Sequence, residues 1–425
     1  VWPRAPEALG GDEDEPRRLF NGDMAVAGRI LSLATGPMAE VVLTYFEDMP
    51  PPRMRQFRPA VVGPLPTYAL TELRDRLERA NLKVTDWNLA EATEPEPPEA
   101  ATRPAEEELI EPPAKDDDLP RVLLVLPPGQ TPPPNPRMPM PLPRWSARHR
   151  RSITRLIDQG TPAMFLTSWR PPDPYGVGEV RYEFADYLRE QWGMDLKIGH
   201  RVFRARPDPE SPGKFLVPIT SRSHMSFSSF SDHPIGEPLR ARRFYWLNAC
   251  PILRADPAGK EVAVADLLNV PKDAVGVWGA ADYEQVVRNV ERREPLVPAA
   301  EEDDIAPPFA LAVLGSRGEG EGAPRVFLSS MGDSFLDGYV TEPVYEVRPD
   351  GTIEAGMPPT GNIDLLVNAA YFLTGHAGYI GAGPAAVEPI KLISRPTMTG
   401  IQLGFGIGVL AIFGLGVAVM VARRG

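Results

Sequence analysis

Ser334 lies in RVFLSSMGDSFLDG, residues 325–338, where Gly-Asp-Ser follows directly on a β-like run. A serine hydroxyl at a strand end can act as a nucleophile when a base sits within hydrogen-bond reach and a third group orients that base. Downstream of Ser334 the sequence offers one histidine, His376 in LTGHAGY, and no Asp-x-x-His pair accompanies it. The other reading is a strand-ending turn in which Gly332 gives backbone freedom and Asp333 a local hydrogen bond. Cys250 is the second potential nucleophile, but WLNACPIL has no glycine-flanked elbow and Pro251 follows at once, so a buried, inert thiol is expected. The five histidines, His149, His200, His224, His233 and His376, show no His-Glu-x-x-His or paired His/Cys spacing, so no metal site is expected. No Gly-x-x-x-x-Gly-Lys-Ser/Thr occurs, and GSRGEGEG (315–322) sets its glycines among carboxylates that would repel phosphate. No cofactor and no catalytic residue emerges, and the chain reads as non-enzymatic.

The elements that would carry these residues follow from periodicity. AEVVLTYF (39–46) is a short β-branched and aromatic run that predicts a buried strand. Leu70, Leu73, Leu77 and Ala80 then fall on one helical face, with Glu72/Arg76 and Arg74/Glu78 spaced for i,i+4 pairing, before LKVTDWNL returns to strand character. RVLLVLPP (121–128) is the next strand. In WSARHRRSITRLIDQG, Trp145, Ile153, Leu156 and Ile157 turn inward and Gly160 ends the helix ahead of the strand AMFLTS. EVRYEFADYLREQWGM is helical, DLKIGHRVF strand-like. Later strands are expected at 242–253, 309–316 and 325–331, a short helix at 283–290, and a helix at 362–375 with Asn362 as N-cap and Leu365, Leu366, Ala369 and Phe372 as its apolar stripe. This β-α alternation predicts an α/β fold with a mostly parallel sheet and helices on both faces.

At 425 residues with a net charge of −12 and no Lys/Arg-dominated stretch interleaved with aromatics, nucleic acid is not an expected partner. One cysteine excludes an intrachain disulfide. The 51 prolines mark the segmentation. An acidic tail (1–19) precedes an α/β domain (20–255) with acidic, proline-rich insertions at 91–119 and 127–143 that bury too little apolar surface to order. Residues 256–395 are expected to complete the α/β region or form a small second subdomain. The leading valine points to a processed chain or the later part of a longer one. GIQLGFGIGVLAIFGLGVAVMV, 400–421, runs for about 22 residues without charge, near the ~20 a helix needs to cross a bilayer. It predicts a transmembrane helix over 397–422 with Gly400, Gly404 and Gly408 on one packing face, and Arg423 and Arg424 favour a cytoplasmic C-terminus. The expected location is therefore a cell inner membrane with a single C-terminal pass, the bulk of the chain being extracytoplasmic or periplasmic.

Taken in order, FNGDMAVAGRILSLATGPMAEVVLTYFEDM, TYALTELRDRLERANLKVTDWNL, LPRVLLVLPPGQ and WSARHRRSITRLIDQGTPAMFLTSW resemble the extracytoplasmic domain of gliding-motility-type (GldG-like) ABC-transporter auxiliary proteins. SDHPIGEPL (231–239) is similar to that family's Asp-His-Pro-Ile signature, through Asp232, His233 and Pro234. Gly332 and Asp333 match its strand end, and Asn362 and Asp364 its Gly-Asn-x-Asp helix. FEDMPPPRMRQF departs from the family, which has glycine and histidine after the first strand. The resemblance implies a flavodoxin-like or amidotransferase-like domain in a non-catalytic, membrane-anchored auxiliary subunit. Such a subunit binds partner proteins or cargo and works in the bilayer with an ABC permease and a separate ATPase. Two other readings stay open: a membrane-anchored ligand sensor, and a serine hydrolase using Ser334.

Overall fold

A computed structural model describes residues 36–48, 65–90, 109–116, 118–130, 144–170, 182–208, 214–216, 225–226, 230–240, 244–257, 261–292, 294–298, 303–318, 320, 322–343, 345–347, 353–355, 358–359 and 361–380. These belong to one unit, Ala27–Gly383.

Four parallel strands, β1 (Ala39–Tyr45), β2 (Leu82–Asn88), β3 (Arg121–Val125) and β4 (Ala163–Leu166), lie in the order β2-β1-β3-β4. Every residue of β1 is buried, as a central parallel strand covered on both faces requires. Its Val41 is in register with Val84 of β2 and Val122 of β3. Beside β4 runs β11 (Arg325–Ser329), also parallel, and beyond it the sheet changes sense. There β10 (Phe309–Ser316) pairs antiparallel with β11, with β8 (Ala263–Val270) and with β7 (Ile252–Arg254), and β7 pairs antiparallel with β5 (Met194–Leu196). A separate ribbon joins β6 (Arg201–Arg204) to β9 (Val277–Ala280).

Helices cover both faces. One apolar cluster joins α1 (Thr71–Arg79) and α6 (Gly361–Leu373) to the sheet, and a second joins α2 (Ala147–Asp158) and α3 (Ala185–Trp192) to its other face. A smaller cluster gathers Phe203, Trp278 and Val286 under α4 (Tyr283–Arg292), and α5 is the single turn Asp337–Val340. Ser146 caps α2 by accepting from the His149 N–H at 3.2 Å, while the His149 ring accepts from the Ser146 N–H at 3.4 Å. Gly193 ends α3 in the left-handed region, at φ +68°, where an added Cβ would lie 2.8 Å from the Ala255 carbonyl oxygen.

Several expectations change. The sheet is mixed, its parallel half extended by an antiparallel one, so "mostly parallel" holds only from β2 to β11. The strand expected at 242–253 is broken into Tyr245–Trp246 and Ile252–Arg254, because Asn248 sits at φ +47° and Pro251 follows. Asn362 is the second residue of α6 and not its cap, and α6 is buried nearly all round, without a single apolar stripe. Within the segment read as a disordered insertion, Ile110 is buried against α2 and its N–H is bonded to the Ser152 hydroxyl.

The expected membrane helix, and with it the inner-membrane location of a single C-terminal pass, is corrected. No helix among the described residues is long and apolar enough to cross a membrane. The expectation rested on the hydropathy of the run 400–421. Residues 397–422, including Gly400, Gly404 and Gly408, and residues 1–19 lie outside the described residues.

Candidate functional site

Chemistry-bearing groups converge where β4 and β11 end. After Leu166 the chain continues through Thr167, Ser168, Trp169 and Arg170. After Ser329 it makes a 3-10 turn over Gly332–Phe335. The Gly332 N–H donates to the Thr167 carbonyl at 2.6 Å, and a Cβ on Gly332 would lie 2.6 Å from Leu65 Cδ1, so glycine permits the close approach. The Ser168 hydroxyl accepts from the Asp333 N–H at 2.7 Å.

The segment 245–250 is stitched to both strand ends. Its Asn248 carbonyl accepts from the Trp169 N–H at 2.6 Å, its Cys250 N–H donates to the Ser330 carbonyl at 3.3 Å, and the Asn248 amide donates to the Asp333 carboxyl. The Leu247 N–H donates to the Ser334 Oγ at 2.6 Å. Asn362 closes the seam: its Oδ1 accepts from the Tyr245 N–H at 3.1 Å, and its Nδ2 donates to the carbonyls of Tyr245 at 2.7 Å and Ser334 at 3.1 Å. A crevice between these groups, lined by Tyr245, Trp246, Leu247, Ser334, Tyr339, Pro359 and Asn362, has room for about one water molecule.

The structure thus brings Gly332, Asp333, Ser334 and Asn362 together, with Cys250 beside them at Ser330, and leaves the other sequence-derived residues apart. Ser334 is 2% exposed, and its Oγ accepts from the Leu247 N–H. The His376 ring lies 3.2 Å from the Thr374 hydroxyl at the end of α6, and among the described residues no hydrogen bond joins it to Ser334. Asp232 pairs with Arg240. His233 accepts from the Ile235 N–H at 3.2 Å and meets the Phe372 ring edge-on at 4.7 Å. Burial, then the Arg325 charge, holds the His233 pKa down. Asp364 pairs with Arg76 at 3.0 Å. Burial drives the Cys250 thiol well above its ordinary range, as an inert thiol requires. Among the described residues no group of three or more His, Cys, Asp or Glu could hold a metal ion.

Sequence reasoning missed the groups around Asp333. Burial raises its pKa, against the opposing hydrogen bonds of Asn248 and Ser168 and the charges of Arg201 and Arg170. Arg170 is 5% exposed, and its Nε and Nη2 have no hydrogen-bond partner among the described residues. Burial lowers its pKa, while the charges of Glu183 and Asp333 act the other way. The Tyr182 hydroxyl, Glu183 Oε2 and Asp333 Oδ1 are likewise buried without a partner. Arg201 spreads its guanidinium over Tyr283 at 4.6 Å and Trp169 at 4.9 Å. The one signal in the sequence is position: Trp169 and Arg170 follow directly on a buried strand, at the strand ends where open α/β sheets place ligands.

No family model matches the chain, and no curated protein matches it. Among solved structures, the "mmIFT52 N-terminal domain" is similar over 78% of this chain and 97% of that one, at 10% identity and a TM-score of 0.38. A likeness at that level carries no argument about fold or function.

Proposed function

We propose that the chain is a non-catalytic binding subunit, an α/β domain that engages a partner protein or cargo for an ABC-type complex whose permease and ATPase are separate chains. The observation that carries this reading is the use made of Ser334: its hydroxyl satisfies the Leu247 N–H, so Gly-Asp-Ser works as a strut between β11 and the 245–250 segment. Gly332, Asp333 and Asn362, on which the resemblance to GldG-like auxiliary proteins partly rests, meet at that same strut. A division of labour with a separate ATPase is in keeping with a sequence that has no Gly-x-x-x-x-Gly-Lys-Ser/Thr.

The test is affinity purification of the full chain from its native cells in mild detergent, with mass spectrometry of what stays bound. A permease and a Walker-motif ATPase in stoichiometric amounts are the expected result. A chain that purifies alone overturns the reading.

A further inference from the structure

We propose that the side of α2 bearing Ser152 and Arg155 is a peptide-docking site, filled here by residues 109–111 of the same chain. A partner protein takes it in exchange, through an extended segment in which an aliphatic residue is followed by a carboxylate. Residues 109–114 belong to no helix or strand, and they lie on the domain as a bound peptide does. Ile110 is 4% exposed, within the apolar cluster between α2 and the sheet, and its N–H donates to the Ser152 hydroxyl at 2.9 Å. That hydroxyl donates in turn to the Arg148 carbonyl at 3.0 Å, so the helix itself orients the acceptor. Glu111 sets both carboxylate oxygens on Arg155 Nη2, at 2.9 and 3.0 Å. Beyond it, Arg121 donates to the carbonyls of Pro113 at 3.0 Å and Ala114 at 2.9 Å.

The seated segment is built to be displaced. Of residues 109–116 only Ile110 is buried. The Glu111 side chain is 71% exposed, so water and salt weaken its pair with Arg155. Glu111 reaches Arg155 through Nη2 alone, and the Arg155 Nε is buried with no hydrogen-bond partner among the described residues. A carboxylate seated side-on would meet Nε and Nη2 together, the stronger, two-nitrogen form of the pair. The chain's own residue therefore leaves part of Arg155 unused. Arg148 and Arg151 fall two turns and one turn before Arg155 on the same side of α2 and add positive charge where an acidic segment would approach. The inference rests on reading the chain as a partner-binding subunit, though not on its assignment to an ABC complex. Purified chain and a synthetic peptide test it, so a failure to capture a permease and an ATPase leaves this result untouched.

The experiment follows the fluorescence anisotropy of a labelled peptide, ELIEPPAKD (residues 108–116), added to the purified full chain. In the wild type the tethered copy competes at high effective concentration, so Ile110→Ser, which empties the site, should bind the peptide about tenfold more tightly or better. Arg155→Glu added to that variant should weaken binding by about tenfold or more, and a scrambled peptide of the same composition should not bind. No gain in Ile110→Ser, or binding indifferent to Arg155→Glu, overturns the proposal. A wild-type dimer that the peptide dissociates names a second copy as the occupant and overturns the assignment to a partner. If Ile110→Ser does not fold, Glu111→Lys replaces it: that side chain is exposed, loss of its pair should raise the peptide affinity, and unchanged affinity overturns the proposal.

Discussion

Ser334 shows how a residue with catalytic chemistry can be spent on backbone. Ser334→Ala leaves the Leu247 N–H without its partner, and the cost should be about 1–3 kcal/mol, read as a lower urea midpoint with unchanged slope. Asp333 and Glu40 make opposite pH predictions. The Asp333 pKa is raised in the folded state, so the folded chain binds the extra proton and stability falls as pH rises from about 4 toward that raised value. Asp333→Asn should flatten this slope in pH-dependent denaturation. Glu40 is 1% exposed. Burial pushes its pKa up, but hydrogen bonds from Thr85 and Arg121 and the charges of Arg121 and Lys83 outweigh this and hold it below the ordinary value. Its stabilisation is therefore present above about pH 4.3 and is lost as pH falls through the folded value, and Glu40→Gln should remove that acid loss. Gly332 and Asp333 could be singled out from sequence because their residue types suit tight turns, and Asn362 because its type suits a helix cap and it carries part of the family resemblance. Arg170 could not, since a surface arginine and a buried one read alike in a single chain.

Elements were legible where a repeat marked them. Leu70, Leu73 and Leu77 gave α1 its buried face, and all three are buried. The arginines of the pairs expected within α1 make their ion pairs with tertiary partners, Arg74 with Asp86 at 2.7 Å and Arg76 with Asp364 at 3.0 Å, while Glu78 and Glu72 act on them through charge. Local spacing carries no knowledge of a carboxylate far along the chain. The cap of α1 shows the same thing. Leu70 offers no capping side chain, and the Asp337 carboxylate accepts from the Thr71 N–H at 2.9 Å and the Glu72 N–H at 2.8 Å. Asp337→Ala should destabilise the protein by about 1–2 kcal/mol, and Asp337→Asn by less, measured by chemical denaturation. In the strut, Gly332→Ala forces its new methyl against Leu65 and the Thr167 carbonyl and should cost about 1–3 kcal/mol, seen as a lower thermal midpoint.

For the whole molecule, the alternation of strand and helix revealed the parallel half, whose strands β1 to β4 are separated by helices or insertions that the pattern marked. Of the antiparallel half, β10 was legible, β8 was not despite its eight residues, and β5 and β7 have three residues each, too few to show a period. The halves meet at β11, parallel to β4 on one side and antiparallel to β10 on the other. That shared strand should make them unfold together. Tryptophan fluorescence and far-ultraviolet circular dichroism should give coincident urea transitions for residues 27–383, and two separated midpoints would show that the halves are independent.

The late position of β11 also bears on how the protein is made. Roughly 160 residues separate the end of β4 from the start of β11, so at about 5–20 residues per second a ribosome holds the parallel half for on the order of ten to thirty seconds without its last strand. Throughout that interval the nascent chain presents the open edge of β4, a template for pairing with other chains. Translation arrested before Arg325 leaves that edge open for good, and truncated products of this length belong to the chaperones and proteases that patrol the ribosome exit.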